Sequence, residues 1–209
     1  MDIESIIFDL DGTLIDSSAS IITSFEGAFR ACGQTPVMAF SSEIIGPPLV
    51  PTLRMLAGTE DDAVIEPLAE AFKAYYDEKG FSETKVYAGV AKMLQYLAQD
   101  TRHVFIATNK RNRPTTAIID LLQWSKYFDG VYALDSIQPA ATSKGALIRH
   151  ILQTHQLSPR RTLYIGDRDD DAFAAAEADT CFYRATWGYG QEVRAAEEGL
   201  KGLMDLLLS

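Results

Sequence analysis

The positions of apolar residues along the chain predict an alternation of short strands and amphipathic helices. Near the start, the unbroken apolar run Ile6, Ile7 and Phe8 is typical of a strand that is buried on both faces. Further short runs rich in β-branched and aromatic residues predict four more strands, HVFIAT from His103, GVYAL from Gly130, TLYIG from Thr162 and CFYRA from Cys181. Apolar residues at helical spacing separate these runs over residues 89–98, 115–123, 143–153 and 170–178. Such alternation predicts an α/β fold in which a parallel sheet is covered by helices on both faces.

The segment between the first two of these strands has a different pattern. Apolar residues recur at helical spacing from Ser17 to Cys32 and from Val64 to Tyr76. Between the two patterns, the sequence IIGPPLVPTLRML contains three prolines and predicts a loop or a broken helix. Residues from about 15 to 85 are therefore predicted to be all-helical.

Composition and charge narrow the classes of function. The chain has 209 residues, 47% of them hydrophobic, and a formal net charge of −10 with its basic residues scattered. Nucleic acid is not an expected partner, because binding to a phosphate backbone needs a positive surface. The longest apolar runs are too short to span a membrane and the N-terminus lacks the pattern of a signal peptide, so we expect no membrane association and a cytoplasmic location. Cys32 and Cys181 are expected to be reduced core residues, and the histidines lack the spacing of metal ligands.

Polar residues collect where the predicted strands end. Asp9 and Asp11 follow the first strand, the sequence TNK from Thr108 ends the second, and GDRDDD from Gly166 follows the fourth. Two like charges at the end of a buried strand either cap a turn of the backbone or are neutralised by a cation. Because the carboxyl ends of parallel strands meet at one edge of a sheet, this edge is the predicted active site.

These motifs together resemble the haloacid dehalogenase superfamily of phosphohydrolases, specifically the members with a helical cap inserted after the first strand. The nucleophile motif DxDGT of that family appears here as DLDGT, the second motif as IATN and the acidic motif GDxxxD as GDRDDD. The sequences GPPL and WGYG are similar to those of the phosphoglycolate phosphatase branch. The resemblance implies a three-layer, Rossmann-like α/β core domain of residues 1–14 and 86–209 with a helical cap domain of residues 15–85.

The resemblance also implies a phosphatase that depends on Mg²⁺ and works through an aspartyl-phosphate. Asp9 would be the nucleophile and a metal ligand. Asp11 would bind the metal through its backbone carbonyl, and its side chain would serve as general acid and then as general base. Asp167 would be a further metal ligand and Asp171 would bind a metal-bound water. The two acidic residues between them are expected only to favour the first turn of a helix through its dipole.

The resemblance assigns the remaining site residues to the substrate. Thr108 and Lys144 would hydrogen-bond the transferring phosphoryl oxygens, and Asn109 would lie beside them. Many relatives carry the lysine in a KPxP sequence, whereas this chain has Gln138 in that region and places Lys144 after a longer loop. Arg54 would reach from the cap to a carboxylate or second phosphate of the substrate, the alternative being a solvated helix arginine.

The expected function is hydrolysis of a small phosphorylated metabolite, with phosphoglycolate as a candidate substrate. A phosphomutase or a nucleotidase on the same scaffold is the alternative, because fold does not determine function. A dehalogenase is disfavoured, since such relatives lack the acid that Asp11 supplies here. A phospho-aspartate switch of the receiver type is a further alternative, against which the cap region and the DxDGT spacing argue. The sequence predicts no oligomeric state.

Overall fold

A computed structural model describes residues 2–190 and 195–208 and contains the predicted parallel sheet. Five parallel strands form this sheet in the order β5-β4-β1-β6-β7, which confirms the predicted fold class. The strands and helices are β1 Ser5–Phe8, β2 Ile15–Asp16, α1 Ser18–Ala31, α2 Leu49–Ala57, α3 Asp62–Glu78, β3 Lys85–Val86, α4 Val90–Leu97, β4 His103–Thr108, α5 Asn112–Leu121, β5 Gly130–Ala133, α6 Lys144–Thr154, β6 Thr162–Gly166, α7 Asp169–Glu177, β7 Cys181–Arg184 and α8 Ala196–Leu208.

Alternate residues of the central strands enter two separate apolar layers. Ile6 and Phe8 of β1 belong to a cluster with side chains of α4, α5 and α8. Ile7, which points to the opposite face, belongs to a second cluster with side chains of α6 and α7. Both faces of the sheet are thus covered by helices, which explains why its strands are continuous apolar runs in the sequence. The fold is a three-layer α/β sandwich.

Helices α1, α2 and α3 form an apolar cluster of their own. Its members include Phe25 of α1, Leu53 of α2 and Phe72 of α3, and each of these side chains is buried. The rings of Phe25 and Phe72 lie 4.5 Å apart between centroids, a favourable separation for an aromatic pair. The helical segment therefore has an internal apolar core distinct from those on the two faces of the sheet.

The proline-rich stretch contains a continuous helix where the sequence predicted a loop or a broken helix. Helix α2 begins directly after Pro48, and Pro51 lies in its first turn, where a backbone N–H has no partner within the helix. Gly58 follows the helix with φ at 66°, and its N–H donates to the carbonyl of Arg54 at 2.9 Å. The prolines thus set the start of α2 without breaking it.

The two ends of the helical segment are strands, which corrects the expectation that residues 15 to 85 are all-helical. Ile15 of β2 pairs with Val86 of β3, and Asp16 pairs with Lys85, in an antiparallel ribbon. A two-residue ribbon is too short to produce a visible alternation of apolar and polar residues. The ribbon brings the chain into and out of the helical segment at one place. The domain boundaries expected from the resemblance stay a prediction.

Helix α8 was not among the predicted elements. Leu200, Leu203 and Leu207 lie on its buried side and join the cluster that covers Ile6 and Phe8. Their spacing of three and four residues is the helical pattern used elsewhere in the chain. This helix completes the layer on one face of the sheet.

Two expectations from composition can be compared with the structure. Cys32 and Cys181 are free, and both are partly buried where full burial was expected. Within the part of the chain that is described, no helix has both the length and the apolar character needed to cross a membrane.

Substituting a buried leucine of the central sheet should destabilise the protein strongly. Leu163 of β6 is 1% exposed, so Leu163→Ala should lower the free energy of unfolding by about 2–5 kcal/mol through lost burial and a residual cavity. Leu121→Ala is the control, because Leu121 is 52% exposed and its truncation should cost no more than about 0.5 kcal/mol. Urea denaturation monitored by circular dichroism measures both, and equal losses in the two variants would contradict this packing.

Candidate active site

The carboxyl ends of three neighbouring strands bring the predicted site residues together. β1 lies between β4 and β6, with Phe8 in register with Ile106 on one side and Ile165 on the other. Asp9 therefore emerges between the end of β4, where Thr108 lies, and the end of β6. The residues that follow these strands share one edge of the sheet, as the sequence predicted.

Lys144 links two buried carboxylates at this edge. It is the first residue of α6, and its Nζ lies 2.9 Å from Asp9 Oδ1 and 2.6 Å from Asp171 Oδ1. Tyr164 also donates to Asp171 Oδ1 at 2.9 Å, and the backbone N–H of Arg168 donates to Asp171 Oδ2 at 3.0 Å. Burial alone would raise the pKa of Asp171, but the charge of Lys144 and these hydrogen bonds outweigh it and lower that pKa. Asp171 is therefore a carboxylate whose two oxygens already have protein partners.

Asp9 and Asp167 have the opposite electrostatic character. Burial raises the pKa of Asp9 well above its ordinary value, with Lys144 opposing this effect and the nearby carboxylates adding to it. Burial, followed by the charge of Asp171, raises the pKa of Asp167 to about 7. Oxygen atoms of Asp9, Asp167 and Asp171 all lie within 4.8 Å of one another. Ionising all three in a buried site requires more positive charge than Lys144 provides.

The surroundings of Asp167 fit a hard divalent cation. Its Oδ1 is buried and has no hydrogen-bond partner among the described residues, while its Oδ2 accepts the N–H of Tyr189 at 2.7 Å. Gly12 has φ at 87°, and a Cβ placed there would lie 2.4 Å from Asp167 Oδ2. The glycine thus lets the DLDGT backbone approach this carboxylate closely. Oxygen ligands with excess negative charge are those that Mg²⁺ prefers.

A second lysine, Lys110, contacts Asp11. Its Nζ lies 3.0 Å from Asp11 Oδ1 and donates to the hydroxyl of Tyr76 in α3 at 2.9 Å. Burial opposes ionisation of Lys110, but the charge of Asp11 outweighs it and raises the pKa of the lysine. Ser17 also donates its hydroxyl to Asp11 Oδ1. Asp11 is therefore held by groups from both the sheet and the start of the helical segment.

Lys110 and Tyr164 are site residues to which the sequence reasoning gave no role. Lys110 stood in the polar cluster after the second predicted strand, so its position was a usable signal. Tyr164 offered none, because it reads as part of the apolar run of β6 and its hydroxyl partner, Asp171, becomes visible only in the fold. Together they provide hydrogen-bond donors to two of the four predicted metal-site aspartates.

Thr108 and Asn109 lie at the predicted edge of the sheet. Thr108 is buried, and its Oγ1 accepts the N–H of Lys110 at 3.1 Å. Asn109 donates its side-chain amide to the carbonyl of Gly46 at 2.9 Å and so joins the end of β4 to the helical segment. Both residues lie at the end of β4, the strand that pairs with β1.

Arg54 lies apart from this group. Its guanidinium pairs with Glu60 and Asp62, at 2.9 Å in each case, and lines a surface cleft on the helical segment. It is not among the residues that line the cavity beside Asp11. The structure therefore does not bring Arg54 together with the other predicted site residues.

The two aspartates of GDRDDD that were assigned to a helix start do lie there. Asp169 is the first residue of α7, and its carboxylate pairs with Arg184 at 2.7 Å. Asp170 follows it and is exposed. Carboxylates in a first turn interact favourably with the helix dipole, which accounts for both residues.

Residues 6–185 match the model of the haloacid dehalogenase-like hydrolase family. The match covers most of the chain and agrees with the parallel sheet and the acidic strand ends. The chain therefore belongs to the haloacid dehalogenase-like hydrolases.

Proteins of similar sequence have names that describe different activities. The tyrosine-protein kinase PtkA of Mycobacterium tuberculosis is 30% identical over 189 residues, which cover 89% of this chain and 63% of the relative, so this chain spans less than two thirds of that relative's length. Two Pseudomonas aeruginosa proteins are 28% identical, a 5'-nucleotidase (90% of this chain and 85% of the relative covered) and phosphoglycolate phosphatase 1 (97% and 78%). The structure of a haloacid dehalogenase-like hydrolase from Streptococcus pneumoniae superimposes with a TM-score of 0.82 at 28% identity, over 98% of this chain and 99% of that one.

Removing the amine of Lys144 should destabilise the protein, because Asp171 then keeps its charge without a cation. For Lys144→Met we expect a loss of about 3–5 kcal/mol in the free energy of unfolding, measured in urea without divalent cations. The exposed Lys92 provides the control, and Lys92→Met should change stability by less than about 0.5 kcal/mol.

A double variant separates this charge effect from lost packing. Adding Asp171→Asn to Lys144→Met removes the uncompensated carboxylate and should recover part of the lost stability. Strictly additive losses would mean that the ion pair contributes nothing specific.

Proposed function

We propose that the chain is a magnesium-dependent phosphatase that hydrolyses a small phosphate monoester through an aspartyl-phosphate on Asp9. The observation that carries the proposal is the buried carboxylate of Asp9 at the end of β1, beside Asp167 and held by Lys144. A carboxylate attacks a dianionic phosphate only where cations lower the repulsion between them. Membership of the haloacid dehalogenase-like hydrolases and the names of two 28% identical relatives support the same chemistry.

The aspartates divide into those that would hold Mg²⁺ and those that would act around it. Asp9 and Asp167 would bind through side-chain oxygens, since Asp167 Oδ1 has no partner among the described residues, and Asp11 would bind through its carbonyl. Asp171 would act indirectly, because both of its carboxylate oxygens already accept hydrogen bonds from protein groups. It would orient Lys144 and bind a metal-bound water. When bound, the ion would neutralise charge between the carboxylates and the phosphoryl oxygens.

The first chemical step assigns separate tasks to Asp9 and Asp11. A carboxylate oxygen of Asp9 forms a bond to phosphorus while the bond from phosphorus to the alcohol oxygen breaks. Asp11 gives a proton to that departing oxygen, and its hydrogen bonds with Ser17 and Lys110 fix the direction in which it can do so. Lys144 and Thr108 donate to the phosphoryl oxygens, where negative charge accumulates in the transition state.

The second step returns the enzyme to its starting state. Asp11, now ionised, takes a proton from water as the water oxygen attacks phosphorus. The bond between Asp9 and phosphorus breaks, so that inorganic phosphate leaves. Repeated release of phosphate distinguishes this cycle from a phospho-aspartate switch, which keeps its phosphate, and from a phosphomutase, which returns it to the sugar.

Hydrolysis of a nucleoside monophosphate is the second candidate function. It is favoured by the 28% identical 5'-nucleotidase, whose sequence aligns with 90% of this chain. Turnover of adenosine monophosphate and of a set of small phosphate monoesters under the same conditions compares the two candidates directly.

Replacing the nucleophile should abolish turnover without unfolding the protein. We expect p-nitrophenyl phosphate to be hydrolysed in Mg²⁺ by the native chain and by Asp170→Asn, an exposed acidic control in α7. Asp9→Asn should lose at least about 1,000-fold in kcat, because an amide is neither a nucleophile nor an anionic ligand. Undiminished turnover by Asp9→Asn, or by the native chain in excess chelator, would refute the mechanism.

Binding of Mg²⁺ should stabilise the protein more at high pH than at low pH. The pKa of Asp167 is about 7 in the folded, metal-free chain, so this carboxyl carries a proton below that pH. This pKa is higher in the folded chain than in the unfolded chain, so the free energy of unfolding falls as pH rises from about 4 to 7. Over that range the unfolded chain has released the proton while the folded chain still holds it. Mg²⁺ binds the ionised form and should restore that loss, so its effect on Tm should be larger at pH 8 than at pH 5.5.

The amide variant Asp167→Asn tests the assignment by calorimetry. It should show a higher Tm than the native chain in chelator at pH 8, because a buried repulsion is removed, and little response to Mg²⁺. Asp170→Asn should keep the native response. An Asp167→Asn protein with the full native response to Mg²⁺ would exclude Asp167 as a ligand.

A further inference from the structure

A small cavity opens beside Asp11 between the sheet edge and the helical segment. Its volume is about 70 Å³, and Asp11, Asn109 and Lys110 line it on the side of the sheet. The opposite wall is apolar and is formed mainly by Ile21, Phe25, Ile44, Ile45, Leu49 and Phe72. Most of these side chains belong to the core cluster of the helical segment, so they form a preorganised wall. An alcohol that left from phosphorus beside Asp11 would have its carbon atoms in this space.

The cations that line the cavity already have carboxylate partners within the protein. Lys110 Nζ lies 3.0 Å from Asp11 Oδ1. Arg111 contacts both oxygens of Asp77, with Nη1 at 2.9 Å from Oδ2. A carboxylate on the alcohol would therefore enter a largely apolar space in which Arg111 is paired with Asp77 and Lys110 is held by Asp11 and Tyr76, so little of its desolvation would be repaid. An uncharged alkyl group would exchange water for apolar contacts at no such cost.

The size of the cavity favours a small alcohol. A cavity of about 150 Å³ holds one benzene molecule, so 70 Å³ corresponds to roughly half of such a ring. A branched alkyl group of about four carbons matches this space better than a nucleoside does. Arg54, the cation expected to reach a substrate anion, pairs with Glu60 and Asp62 away from this cavity.

We infer that this cavity receives the alcohol portion of the substrate and selects small, uncharged, apolar alcohols over alcohols that carry a carboxylate. The inference rests on the proposed phosphatase function, since it concerns the part of the ester that leaves. It sets the substrate class apart from phosphoglycolate, whose alcohol portion is anionic. Selection arises from the apolar wall and from cations that are already held by groups of the protein, while the attack on phosphorus is common to all esters.

Isobutyl phosphate and phosphoglycolate provide a matched test, because their alcohol portions have the same branched arrangement and number of non-hydrogen atoms. With native protein and Mg²⁺, we expect kcat/KM for isobutyl phosphate to exceed that for phosphoglycolate by about 10-fold or more. Equal values, or a preference for phosphoglycolate, would overturn the inference while leaving the phosphatase intact. p-Nitrophenyl phosphate is measured in parallel, and failure to hydrolyse any of the three esters would instead refute the proposed function.

A binding measurement tests the selectivity without turnover. Calorimetric titration in Mg²⁺ should give tighter binding of 3-methylbutylphosphonate than of 3-phosphonopropionate, which differ in the same way and cannot be hydrolysed at the replaced oxygen. Tighter or equal binding of the carboxylate-bearing ligand would overturn the inference even if the chain hydrolysed no ester.

A cation introduced in the cavity wall should shift the preference. Leu49 is half-buried at the start of α2, so Leu49→Lys can place an ammonium group in the cavity, whereas Leu49→Met is the neutral control. We expect Leu49→Lys to raise the ratio of kcat/KM for phosphoglycolate to that for isobutyl phosphate by about 10-fold, and Leu49→Met to leave it within about 3-fold. If the native chain prefers phosphoglycolate and Lys110→Met abolishes that preference, Lys110 binds the substrate carboxylate and the inference is wrong. The comparison in the native chain holds even if Leu49→Lys does not fold.

Discussion

The site depends on how the protein tolerates buried carboxylates at the ends of its central strands. Asp9, Asp11, Asp167 and Asp171 are all at most 5% exposed, and the lysines that contact them supply only part of the opposing charge. The effect of this imbalance differs between the aspartates. The pKa of Asp171, beside Lys144, is lowered, whereas that of Asp167, which no cation contacts among the described residues, is raised. Excess negative charge is therefore concentrated at Asp9 and Asp167 rather than at Asp171.

The elements of the sheet could be predicted because the apolar runs of β1, β4 and β6 are buried on both faces and are therefore continuous in the sequence. Local patterns also located most helices to within a few residues. The ribbon of β2 and β3 is stabilised by pairing between residues distant in the chain and is too short for any pattern. In α2, the prolines misled the prediction because their effect depends on position within the first turn, which only the structure fixes.

In the candidate site, too, some features could be predicted from the sequence and others could not. Asp9, Thr108 and Asp167 could be placed together because strand order in a parallel sheet brings their strand ends to one edge. The hydrogen bonds between Tyr164 and Asp171 and between Lys110 and Tyr76 could not be predicted, because they depend on side-chain directions in the folded chain. Arg54 had a suitable charge and a suitable segment, but its nearest acids lie on the surface of that segment.

The ribbon at the base of the helical segment also bears on how a protein of this kind can change over evolutionary time. Because Ile15 pairs with Val86, the chain leaves the sheet and returns to it at neighbouring positions. An inserted segment whose ends lie together imposes little strain on its host, so its length and composition can diverge freely. The apolar wall of the cavity lies in the segment between β2 and β3, whereas Asp9, Lys144 and Asp167 lie outside that segment. Under the proposed function, the apolar part of the selectivity and the attack on phosphorus would thus be carried by separate stretches of the chain, so that the wall could change without a change at Asp9.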